Sequence, residues 1–169
     1  MRRPVTWLGL GMAAVLLLSV ALARGDEEKV PLDKVPKPVV EAVKARFKNA
    51  EVTSASRETE KGQVVYEVTI KDRGQNIDVT LTPQGEILLI EKEIAARDLP
   101  RAAARALEGK YPRATYKIVE EIVKVEKKQE RLAYYEVLLV TAGKDTLEVL
   151  VTPEGRIVKE EKKKPGEDD

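Results

Sequence analysis

The chain of 169 residues contains no cysteine and no histidine. Without cysteine it can form no disulfide and offers no thiolate as nucleophile, metal ligand or site of lipid attachment. Without histidine it lacks the commonest general base and zinc ligand. Aromatic residues are scarce, with one Trp, one Phe and five Tyr. The glycines lie singly, so no glycine-rich phosphate loop is present. Net charge is nearly absent as well, 30 Lys and Arg standing against 29 Asp and Glu. That balance gives no electrostatic reason to seek nucleic acid or an anionic membrane. Stability has to come from packing alone, in one ordinary domain or two small ones sharing a core.

The one long apolar run lies at the start. Arg2 and Arg3 precede the segment Trp7 to Leu18, and Ala21-Leu22-Ala23 gives a small-x-small pattern just before the charged stretch Arg24 to Glu28. This is the order of a secretory signal, with cleavage expected after Ala23. The other reading is an uncleaved anchor, but the core is short of the roughly 20 residues that a membrane span needs. Removal of residues 1–23 takes away the only Trp and leaves 28 basic against 29 acidic residues. The product is expected in the periplasm or outside the cell, with no membrane contact of its own.

The rest of the chain is a duplication. Val35-Pro36 to Phe47 aligns without gaps on Leu99-Pro100 to Tyr111, offset by 64. Tyr66-Glu67-Val68-Thr69-Ile70 answers to Tyr135-Glu136-Val137-Leu138-Leu139, and Ile77 to Ile87 answers to Leu147 to Ile157. Both copies carry Thr-Pro-x-Gly-x-Ile at the same place, Thr82 to Ile87 and Thr152 to Ile157. The offset grows to 69 and then 70, so the second copy holds about five extra residues early and one in a later turn.

Each copy reads as one helix and four strands. A proline opens each helix in the first turn, where a missing N–H costs nothing. Val39, Val43 and Phe47 make one apolar stripe, and Leu99, Ala103, Ala106 and Leu107 another. Val64, Tyr66, Val68 and Ile70 then alternate with Val65, Glu67, Thr69 and Lys71, as in a sheet with one face buried. Short glycine turns, Lys61-Gly62 and Arg73-Gly74, join consecutive strands into an antiparallel meander. The expected fold is α+β: two tandem helix-plus-four-stranded antiparallel repeats, preferably one continuous eight-stranded sheet with both helices on one face. Two sheets that merely touch are the alternative. The boundaries are a signal peptide at 1–23, a flexible linker at 24–34, repeats at 35–97 and 98–160, and a disordered charged tail at 161–169.

No catalytic residue, metal ligand set or cofactor site is expected. The acids sit mostly in runs such as Glu120-Glu121 and Glu91-Lys92-Glu93, which read as a salt-bridged surface and not as a buried acid–base pair. Asp72 to Asp78 offers oxygens at alternate positions, but it lacks the closing Glu of a calcium loop and a hairpin turn explains it. The remaining candidate is surface. The sheet face away from the helices should carry Val65, Glu67, Thr69, Asp78 and Thr80 in the first copy. In the second it should carry Tyr134, Glu136, Leu138, Glu148 and Leu150. Of these, Val65, Thr69, Thr80, Tyr134, Glu136, Leu138, Glu148 and Leu150 form the candidate interface, because apolar side chains on an open face mark one. Two alternatives stand beside it: this face packs on the segment Tyr116 to Lys127, or the register is off by one.

Two tandem units, each starting at a Val/Leu-Pro helix and ending at Thr-Pro-x-Gly-x-Ile behind a signal peptide, resemble the PepSY-like family over residues 35–160. That family is similar in fold to the β-lactamase inhibitory protein, and its members are exported bacterial proteins. The resemblance implies a concave sheet able to hold another protein, and it raises inhibition of a peptidase by analogy. This chain departs from the inhibitory protein in having no Cys and few aromatics, so inhibition of a β-lactamase does not carry over. The reading is a non-enzymatic module binding an unidentified protein or peptide of the cell envelope; a structural protein that homodimerises through the same face is the alternative.

Overall fold

The computed structural model describes residues 27–60 and 62–163. The signal segment 1–23 and the end of the tail, 164–169, lie outside the described residues. In chain order the elements are β1 (Glu28–Lys29), α1 (Lys37–Arg46), β2 (Glu51–Glu60), β3 (Gln63–Asp72), β4 (Gln75–Leu81) and β5 (Ile87–Glu93). Then come α2 (Arg101–Lys110), β6 (Thr115–Glu126), β7 (Gln129–Val140), β8 (Thr146–Val151) and β9 (Ile157–Lys162). Short 3₁₀ turns, Leu32–Lys34 and Ala96–Asp98, lead into the helices.

The nine strands among the described residues form one antiparallel sheet whose spatial order is the chain order. The sheet has nine strands and not the expected eight. The extra strand lies in the segment expected to be a linker: Glu28 pairs with Arg57, and the Val30 N–H donates to the carbonyl of Ala55 at 2.8 Å. The charged tail also begins later than expected, since β9 runs to Lys162 and the Lys163 N–H donates to the Thr146 carbonyl at 3.0 Å.

Both helices begin at Pro36 and Pro100, whose carbonyls accept the first helical bonds from Val40 at 3.2 Å and Ala104 at 2.9 Å. Val39 and Val43 of α1, and Ala103 and Leu107 of α2, are the buried positions of the two stripes. Each packs on the alternate residues of its own strands: Val68, Ile70, Val79 and Leu81 under α1, and Tyr135, Val137, Leu139, Val149 and Val151 under α2. The two cores meet at the joint between β5 and β6. Ile90 stands opposite Val123 there, and Val123 and Val125 of the second repeat pack against the core of the first. Val119 of the same strand packs under α2. Because Val119 and Val123 are four residues apart on one strand, both helices cover the same face.

Register shifts recur at equivalent places in the two repeats, Val52/Ser54 and Tyr116/Ile118 early, and Thr80/Leu81 and Leu150/Val151 late. A further shift interrupts the β6–β7 hairpin at Ile122/Val123. Bulges increase local twist and bend a sheet. The extra residues of the second copy fall in this hairpin, whose strands have 12 residues each against 10 in β2 and β3.

Candidate functional site

With both helices on one face, the other face of the sheet carries no layer among the described residues. Side chains from eight strands gather there around one cavity of about 490 Å³. They include Ser54, Thr69, Asp78, Glu91, Glu120, Glu136, Leu138 and Glu148, so the face is concave across both repeats.

The lining is strongly acidic, and the strand pairing makes it so. Asp78 stands directly opposite Glu91, Glu93 opposite Glu120, and Glu120 opposite Glu136. Like charges placed directly across a ladder destabilise a sheet. Some are offset locally. Asn76 Nδ2 donates to Glu93 at 2.9 Å, while Glu148 pairs with Lys163 and, at 3.4 Å, with Lys159. Glu91 has no such cation among the described residues. Part of the residue is open to the cavity, yet burial of its carboxyl, then the charges of Glu136, Glu120, Glu67 and Asp78, hold its pKa well above the usual carboxylate range.

The residues expected on this face are placed on it, in two tiers. Thr69, Glu136, Leu138 and Glu148 line the cavity, as do Glu67 and Asp78. Val65, Thr80 and Leu150 are buried at 3 to 5 % exposure and are not among the residues lining it. Tyr134 lies apart from the cavity, half-buried under the ammonium of Lys124 at 5.2 Å. The register is the expected one: Tyr66 pairs with Leu81 on the helix side, Glu67 with Thr80 on the other.

The acidic runs require a correction. Glu91 and Glu93 make no ion pair among the described residues; they share the concave face, while Lys92 between them, paired with Ile77, points to the opposite side. Glu120 likewise joins the cavity, and Glu121 faces the helix layer near Tyr135. The legible signal was the i, i+2 spacing of Glu91 and Glu93 on a strand. What escaped was the alignment of strands far apart in sequence.

The Asp72 to Asp78 segment is the β3–β4 hairpin, turned by Arg73 and Gly74 at φ of 51° and 85°. Near the rim, carboxylate oxygens of Glu27, Glu58 and Glu67 lie within 4.8 Å of one another. Three such oxygens are only part of the six to eight that a hard cation takes. No helix among the described residues is long and apolar enough to cross a membrane.

The profile of the family described as "Putative beta-lactamase-inhibitor-like, PepSY-like" matches residues 23–89 and 84–159. The chain belongs to the PepSY-like family. Each PepSY-like match covers most of one repeat. Among solved structures, a BLIP-like protein from Bacteroides fragilis has 18 % identity and a TM-score of 0.57, over 78 % of this chain and 89 % of that one. A protein from Bacteroides eggerthii, described as one of its "putative periplasmic proteins", has 16 % identity and a TM-score of 0.62, over 76 % and 88 %. At such identities the likeness concerns the fold. Among curated proteins, none matches the chain in sequence.

Proposed function

We propose that this PepSY-like chain is an exported, non-enzymatic binding module of the cell envelope, which takes a protein or peptide segment in the concave face of its sheet. The observation that carries the reading is a concave, acid-lined face with no layer over it among the described residues. Eight strands contribute side chains to one cavity, carboxylates are paired against carboxylates across the ladders, and both helices lie on the other side. A sheet face that served only the core would have no use for such a row. The secretory pattern of residues 1–23, and the periplasmic description of the Bacteroides eggerthii protein of like fold, support export. The absence of Cys and His removes the common nucleophile–base pairs.

Homodimerisation through this face is disfavoured by the same lining, since a second copy would set carboxylates against carboxylates. Inhibition of a peptidase rests on the likeness to inhibitor-like proteins alone.

The test is site-specific photo-crosslinking in envelope extracts. A benzoylphenylalanine placed at Leu138, which lines the cavity, should give a discrete adduct. The same group at Val158 on β9, where the side chain is 42 % exposed, should not. Equal labelling from both positions, or none from Leu138, overturns the reading.

A further inference from the structure

Resting on that docking reading, we infer that the segment bound in the concave face is cationic: an extended stretch of polypeptide whose lysine or arginine side chains enter the cavity and pair with the row Asp78, Glu91, Glu120 and Glu136.

Three observations support it. The row runs across four adjacent strands, β4 to β7, on one face: Asp78 stands opposite Glu91 and Glu120 opposite Glu136, while Glu91 and Glu120 are diagonal neighbours, Glu91 facing Ile122. At about 4.8 Å per strand it is about 14 Å long. An extended segment of four or five residues spans the same distance.

The second is Glu91, in the middle of the row. Its carboxyl lines the cavity and makes no hydrogen bond or ion pair among the described residues, and the charges that act on it, Glu136, Glu120, Glu67 and Asp78, are negative. A buried carboxylate among like charges is a cost to the free protein, and an incoming cation relieves it.

The third is the chain's own use of the site. The cations among the described lining residues are Lys29 and Lys163, which come from the two ends of the sheet. Lys163 lays its side chain, 12 % exposed, against Glu148, itself 10 % exposed. The cavity therefore accommodates a lysine stem and its ammonium beside a carboxylate at its rim, in the same arrangement proposed for a partner's side chains at its centre.

A divalent metal ion fits this row less well. Metal coordination needs oxygens converging on a point, at about 2.3–2.6 Å from it. The trio of acids that converges among the described residues is Glu27, Glu58 and Glu67 at the rim, and none of the central row belongs to it.

The experiment is titration calorimetry of the purified chain with a ten-residue oligolysine, with an oligoglutamate of equal length and with calcium chloride alone. Oligolysine should bind and oligoglutamate should not, and affinity should fall at least tenfold between 50 and 200 mM salt. The double substitution Glu91→Gln with Glu136→Gln should weaken binding at least tenfold, while Glu41→Gln, an exposed acid of α1 on the opposite face, should leave it unchanged. Circular dichroism establishes that each variant is folded. Failure of oligolysine to bind, or equal binding by the double variant, overturns the inference. So does stoichiometric calcium binding that the double variant loses. If the Leu138 crosslink forms while oligolysine fails, the docking reading stands and only the cationic partner falls; if both fail, both fall.

Discussion

A β-carbon on Gly85 would overlap the carbonyl oxygen of Pro38 in the first turn of α1 and lie 2.9 Å from its carbon. Gly155 stands in the same relation to Ala102 of α2, 2.5 Å from its oxygen. Each glycine also has positive φ, 83° and 88°. The threonine of the shared signature closes the turn in both repeats. Thr82 Oγ1 accepts from the Glu86 N–H at 3.1 Å, and Thr152 Oγ1 from the Arg156 N–H at 3.2 Å. The Thr-Pro-x-Gly-x-Ile motif is therefore the point where the third and fourth strands of each repeat turn beneath the start of their helix.

Gly85→Ala and Gly155→Ala should accordingly each cost about 3 kcal/mol, through strained φ together with displacement of helix backbone. Urea denaturation measures it. Gly74→Ala has nothing within 4 Å to displace and should cost less, about 1 to 2 kcal/mol.

Glu91 makes a pH prediction with a definite sign. Its folded pKa lies above the ordinary 4.5, so its contribution to stability is fully present below that value and is lost as pH rises through the folded value. At pH 7 the charged form is a burden. Glu91→Gln should then be more stable than the parent by about 1 kcal/mol at pH 7 and no more stable at pH 4. Denaturation midpoints at the two pH values decide it; a parent more stable at pH 7 would contradict the electrostatic account.

At the end of α2, the Tyr111 hydroxyl donates to Glu160 of β9, and Lys110 pairs with the same carboxylate. Burial, then the bond to Glu160, keeps the phenol protonated well above its usual range. Tyr111→Phe should cost about 1 kcal/mol while keeping the ring in place. Phe47 occupies the equivalent position in α1, where Arg46 bonds instead to Glu130 of the second repeat, at 2.9 and 3.1 Å. That pair is nearly half exposed on both sides, so Glu130→Ala should cost less than about 1 kcal/mol.

Leu81 and Leu139 are fully buried in the first and second core. Replacing either with Ala should cost about 2–5 kcal/mol. Because the β5–β6 ladder joins the cores, both variants should still unfold in one transition, with circular dichroism and tyrosine fluorescence coinciding. Two separated transitions would mean that the repeats fold independently.

Much of the fold was legible in the residues. The proline-led helices, the period-two strands and the glycine turns follow from local stereochemistry, which a sequence carries directly. The face of each strand was legible too, because slipping Val68 or Val137 by one position would turn an apolar set to water. β1 was not legible: two charged residues, Glu28 and Lys29, have no strand pattern, and they are held by hydrogen bonds to β2.

The order of strands within each repeat, their short turns and the duplication were determined by the sequence itself, since each depends on neighbours a few residues apart; that β5 and β6 join the repeats into one sheet was decided by the tertiary structure. The tertiary structure decided which carboxylates meet. Asp78, Glu91, Glu120 and Glu136 are separated by 13 to 29 residues and become neighbours only when four strands pair. Alternation along one strand sets which face a side chain takes, but the electrostatics of that face depend on the alignment between strands, and that alignment exists only once the sheet has closed over its core.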